Sequence, residues 1–127
     1  MIVLDTDVLI AFFRKEDQNY QRAVELIKSI DEEAVITIIT LSEFLTFIKK
    51  RDGGLKAKEK WENLKDADIK VLDINEFIED IIYLIEKYQG LSFGDASSIV
   101  IMKRFSIGRI YSFDSDFDLV QGIQRIY

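Results

Sequence analysis

Ile2-Val3-Leu4-Asp5-Thr6-Asp7-Val8-Leu9-Ile10 opens on a continuous apolar run, turns on two acids around a threonine, and returns at once to apolar residues. A short, unbroken apolar run is how a strand buried on both faces reads. Asp5-Thr6-Asp7 favours a turn and a helix N-terminus, because short polar side chains there accept hydrogen bonds from the first free amides. The stretch therefore predicts strand, cap and helix in immediate succession, with Asp5 at the carboxyl end of the strand.

The same order recurs along the chain. Tyr20, Ala23, Val24, Ile27 and Ile30 are spaced as one face of a helix. Ala34–Ile39 is a second β-branched run, followed by Thr40-Leu41-Ser42-Glu43, which has the S/T-x-x-E form of a capping box. The helix it opens carries Leu41, Phe44, Leu45 and Ile48 inward, ends on Lys49-Lys50-Arg51 and is broken by Gly53-Gly54. A polar helix over 55–66, a strand at Ile69–Leu72 and a broad helical stripe from Phe77 to Tyr88 come next. Ser92-Phe93-Gly94-Asp95 is another cap, and its helix runs to Phe105. Arg109–Phe113 reads as a strand, Asp114-Ser115-Asp116 as an acidic turn, and the segment near Ile123–Ile126 as a final short strand. Strands separated by helices predict an α/β fold with a mainly parallel central sheet covered on both sides. At 127 residues the chain supports a single domain spanning 1–127.

Composition narrows the chemistry. The chain has no Cys, His or Pro, which removes disulfides, thiolate nucleophiles, serine–histidine arrangements and every imidazole or thiolate metal site. No basic segment followed by an apolar core opens the sequence, and no apolar run approaches the ~20 residues of a membrane span. A cytoplasmic protein without a membrane partner is expected. The formal charge is −6, from 17 Lys+Arg against 23 Asp+Glu. That balance argues against a uniformly basic nucleic-acid binder, although a local basic patch or a bound cation remains compatible with it.

Four acids share one topological position. Asp5 ends the first strand, Glu43 starts the helix after the second, Asp95 starts the helix before the fourth, and Asp114 follows that fourth strand. Ligands of open parallel sheets bind beyond the carboxyl ends of the strands, so these carboxylates are expected to converge. Two unit charges 5 Å apart repel by roughly 3 kcal/mol at an effective dielectric of 20. Such a cluster requires protonation or a cation. Oxygen-only donors select hard ions, Mg²⁺ or Mn²⁺, and the matching chemistry is metal-assisted phosphodiester hydrolysis. Each acid taken singly also serves as a helix cap or turn residue. Thr6 and Ser112 are candidates to hold the carboxylates in place.

Val3-Leu4-Asp5-Thr6-Asp7-Val8-Leu9-Ile10, Thr40-Leu41-Ser42-Glu43-Phe44, Leu91-Ser92-Phe93-Gly94-Asp95-Ala96 and Ser112-Phe113-Asp114-Ser115-Asp116-Phe117 together resemble the PIN-domain ribonucleases, and among them the short VapC-type toxins of toxin–antitoxin pairs. Order, spacing and length agree over essentially the whole chain. The resemblance implies a three-layer α/β/α sandwich and Mg²⁺- or Mn²⁺-dependent cleavage of RNA. It implies Asp5, Asp95 and Asp114 as metal ligands, with Glu43 completing the quartet and Asp116 as an auxiliary acid. A homodimer and an antitoxin partner are typical of that branch. Asp7 departs from the family, which commonly has Ser or Asn there. The extra acid caps the first helix or alters metal affinity.

The segment 49–60 holds six cations against two acids, a net of +4 in an acidic chain. Lys49, Lys50 and Arg51, on the helix leaving Glu43, form a candidate track for an RNA backbone. Three rival readings are compatible with parts of the pattern: an RNA-processing PIN nuclease without an antitoxin, a catalytically silent PIN-like interaction module, and a phospho-receiver domain. The silent module is expected to have lost an acid, and the receiver needs a Lys after its last strand that Gln121-Gly122-Ile123 does not supply.

Overall fold

The computed structural model describes residues 1–127. Five strands, β1 (Ile2–Leu4), β2 (Ala34–Thr37), β3 (Lys70–Leu72), β4 (Arg109–Tyr111) and β5 (Gln124–Ile126), form one sheet in the order β3-β2-β1-β4-β5. Every neighbouring pair is parallel, so the expected mainly parallel sheet is entirely parallel. The order excludes a receiver domain, whose doubly wound sheet runs 2-1-3-4-5.

Alternation along the strands sends side chains to opposite faces. Val3, Val35 and Ile110 join a core with α5 (Ile78–Lys87) and α6 (Phe93–Arg104). Ile2, Leu4, Ala34, Ile36 and Tyr111 join the opposite core with α1 (Thr6–Phe13), α2 (Tyr20–Lys28), α3 (Ile38–Asp52) and α4 (Gly54–Asp66). The two clusters hold 15 and 14 buried residues, so both faces of the sheet are sealed and the molecule has three layers. Phe44 and Phe117 are the largest fully buried side chains, one in each cluster. Ile10, Phe12 and Phe13 pack half-buried against the α1–α4 core. No helix is long and apolar enough to cross a membrane.

Several boundaries differ from the sequence reading. The second strand stops at Thr37 instead of Ile39, and Thr37, not Thr40, caps the helix: its hydroxyl accepts the Thr40 amide at 3.1 Å. Thr37 is fully buried and also bonds Ser97 Oγ across the core at 3.3 Å. That tertiary contact holds the cap three residues earlier than the local S/T-x-x-E pattern indicates. Glu43 consequently lies in the second turn of α3, free of capping duty. The helix break is at Gly53 alone, where φ is 93°, a left-handed value that glycine adopts without strain. Gly54 already belongs to α4. The fourth strand ends at Tyr111, leaving Ser112 and Phe113 in the turn.

Thr37→Val keeps the volume but removes the cap and the Ser97 contact. It is expected to cost about 1–2 kcal/mol, read as a lower urea midpoint at unchanged slope.

Candidate active site

Sheet order reverses between β1 and β4, and the crevice beyond their carboxyl ends is lined with acids. Asp5 follows β1 as the N-cap of α1, with Oδ1 accepting the Thr6 amide at 2.9 Å and Oδ2 accepting the Ser112 hydroxyl at 2.7 Å. Ser112 is fully buried and its Oγ also accepts the Asp114 amide at 3.0 Å. One hydroxyl thus ties the end of β1 to the loop after β4. Asp114 caps the 3-10 turn Ser115–Leu119, accepting the Asp116 amide at 2.9 Å. Thr6 contributes its backbone N–H, and its hydroxyl forms no hydrogen bond with the acids.

Asp7 reaches across the crevice. Its Oδ2 accepts the Phe113 amide at 3.1 Å, while Oδ1 is buried with no hydrogen-bond partner. An unpaired buried carboxylate oxygen is costly unless it is protonated or meets a cation. Asp95 is the third residue of α6 within a complete capping box: its amide donates to Ser92 Oγ at 3.1 Å, and its Oδ2 accepts the Ser92 amide at 3.2 Å. The cap expected at Ser92 is present.

The acids feel one another. Burial, reinforced by the Asp7 charge and then by Asp95, pushes the Asp5 carboxyl up to about 7. Burial, together with Asp114 and Asp95, raises Asp7 to about 6. Glu43 is raised by partial burial and by Asp95, and Asp95 by partial burial and by Asp114 and Asp116. Every predicted carboxylate, Asp5, Glu43, Asp95, Asp114 and Asp116, is therefore linked to this cluster, and Asp7 joins it. Lys49, Lys50 and Arg51 are not brought in. They sit in the last turn of α3, about 10 Å along the helix axis from Glu43.

No three carboxylates already close on a single point at ligating distance. Mg²⁺ does not require that, since it keeps several waters and uses one or two protein carboxylates. The oxygen-only donor set, the unpaired Asp7 Oδ1 and the upward shift of Asp5 all fit a hard divalent cation.

The sequence profile of the PIN domain family matches residues 2–123. The chain belongs to that family. It is 31% identical to ribonuclease VapC13 of Mycobacterium tuberculosis over 134 aligned positions, covering 99% of each chain, which places this PIN domain in the VapC branch. Among solved structures, its fold matches the sarcin–ricin-loop-cleaving toxin VapC20 of M. tuberculosis with a TM-score of 0.84 at 22% identity, over 93% of both chains. It also matches a toxin–antitoxin complex from Klebsiella pneumoniae with a TM-score of 0.76 at 18% identity, over 98% of this chain and 96% of that one.

Gly94 is a feature of this PIN domain that the sequence reading missed. A β-carbon there would overlap Glu43 Oε1, whereas its next neighbour, Ile39 Cγ2, is at an ordinary 3.4 Å. Only the far end of a flexible side chain stands in the way. Gly94→Ala is therefore expected to leave the melting temperature unchanged or slightly raised, since alanine is favoured over glycine in a helix by up to ~1 kcal/mol. A crystal structure of the variant should show Glu43 swung away from Asp95; an undisplaced Glu43 would contradict the argument. The only sequence signal was a glycine in the first turn of a helix, where any other residue would have served the helix better.

Proposed function

We propose that the chain, read as one catalytic unit over 1–127, is a Mg²⁺- or Mn²⁺-dependent endoribonuclease and the toxin of a toxin–antitoxin pair. The observation that carries this reading is the gathering of carboxylates from four separated segments at the β1/β4 switch point, with burial holding Asp5 and Asp7 above the usual carboxylate range. Kinship with proteins named VapC ribonucleases supports the substrate class.

In this reading Asp5, Asp95 and Asp114 hold the cation. A bound divalent ion supplies Lewis acidity toward the phosphoryl oxygens and makes a nucleophile available near neutral pH. The protein's own groups do the rest. Ser112 fixes the rotamer of Asp5 by donating to Oδ2 and positions the Asp114 backbone by accepting its amide. The Thr6 amide fixes Oδ1. Glu43, raised and uncommitted to a cap, is the group to receive a proton from the attacking water, and Asp116 is the auxiliary acid beside Asp95. Lys49, Lys50 and Arg51 attract the RNA backbone. An antitoxin protein and a second copy of the chain are the partners that accompany this reading, and the cytoplasm is its compartment.

The test is to incubate purified protein with defined RNAs in Mn²⁺, Mg²⁺ or EDTA and to map the ends produced. Site-specific cuts with either ion and none in EDTA are expected. Equal cutting in EDTA, or no cutting in any condition, would overturn the proposal.

A further inference from the structure

Glu43, Thr46, Phe47 and Lys50 are spaced three or four residues apart and so line one side of α3. With Ser42 they border an open cavity of about 420 Å³ that starts at Glu43, and Phe47 is its only apolar residue. The Arg51 guanidinium lies over the Phe47 ring at 5.0 Å and that of Arg14 at 5.5 Å. Arg14 is committed to Glu16 and Asp52. Arg22, Lys56, Lys65, Lys70, Arg104, Arg109 and Arg125 are likewise paired with acids. Lys49, Lys50 and Arg51 are exposed and form no ion pair.

We propose that this groove is the subsite for the nucleotide flanking the cleaved phosphodiester in single-stranded RNA. Lys50 takes its phosphate, the Ser42 and Thr46 hydroxyls face its sugar, and its base lies against the Phe47–Arg51 pair. The inference rests on the nuclease reading and deepens it. A pocket of carboxylates repels a polyanion, so binding needs uncommitted positive charge within about one Debye length, ~10 Å at 0.1 M salt. The far end of this groove supplies it at about that distance from Glu43. An aromatic ring with a guanidinium over it at 5.0 Å meets the face of a base only when that base is unstacked, which selects a single strand over a duplex.

Binding is measured by fluorescence anisotropy with a short labelled oligoribonucleotide of mixed sequence. Asp5→Asn serves as the background, so that the RNA is held and not cut. Lys50→Ala and Phe47→Leu are each expected to weaken binding roughly tenfold. Lys50→Ala should also lower the salt slope by about 1, while Phe47→Leu leaves it unchanged. Lys28→Ala, on α2 and outside the groove, should bind as the parent does. With Asp5 intact, Lys50→Ala should raise KM and leave kcat unchanged. Parental affinity in both groove variants, or a duplex of the same sequence bound as tightly and with the same sensitivity to them, overturns the proposal. Protein that binds the strand through the groove but never cuts it, with Asp5 intact, would overturn the nuclease reading and leave the groove standing.

Discussion

Asp5→Asn is expected to lower RNA cleavage at least about a hundredfold while leaving the protein folded. The substitution keeps the shape of the side chain and a carbonyl oxygen for the Thr6 amide, and Ser112 Oγ can accept from the new amide. It removes the negative charge that sits deepest in the crevice. Groups that merely orient a metal ligand are worth ten- to hundredfold, so loss of a ligand itself should exceed that range. Single-turnover cleavage with saturating Mn²⁺, alongside a circular-dichroism melt, provides the check. A folded Asp5→Asn protein that cuts at the parental rate would remove Asp5 from the chemistry.

The same substitution should make the metal-free protein more stable at and above neutral pH. Asp5 has an ordinary value of 3.8 and stands at about 7 in the fold. Between those values the folded chain retains a proton that the unfolded chain has released, so more protons are bound in the folded state and stability falls as pH rises. The loss begins near pH 4 and is complete above about pH 7. At 1.36 kcal/mol per unit it amounts to about 4 kcal/mol, and Asp7 acts in the same direction. Calorimetry in EDTA should therefore show the parent melting lower at pH 8 than at pH 5, by ~5 °C or more. In Asp5→Asn this decline should be much smaller, and Mn²⁺ should restore the parent at pH 8. A parental melting temperature that is flat or rising across that interval would show that the buried carboxylates carry no such penalty.

Local chemistry was readable wherever a segment settles its own conformation. Ser92 and Asp95 satisfy each other's amides within four residues, so that cap follows from sequence alone. The Asp5 cap is equally local. The start of α3 was misread because Thr37, Ile38, Ile39 and Thr40 are all β-branched, and either threonine can cap. The choice falls to Ser97, 60 residues away. Asp7 was recognisable as an extra acid, but its contact is with Phe113, 106 residues distant, and no local pattern reveals that it keeps one oxygen unpaired. Gly94 escaped for the same reason, since what it accommodates lies on another helix. The gathering of the acids could be anticipated because sheet topology places strand ends together.

The hydroxyl of Ser112 bridges to a carboxylate 107 residues earlier in the chain, and this sets when the enzyme can exist during its own synthesis. Chains emerge from the ribosome N-terminus first, at about 5–20 residues per second. Asp5, Glu43 and Asp95 are all made before the strand that must pair beside β1 and the loop that anchors Asp5. Until residue 116 has emerged, the nascent chain lacks both the neighbour that orients Asp5 and the last two acids. On the proposed reading, a nuclease made on the cell's own RNA machinery cannot assemble its acidic site while its sheet is unfinished.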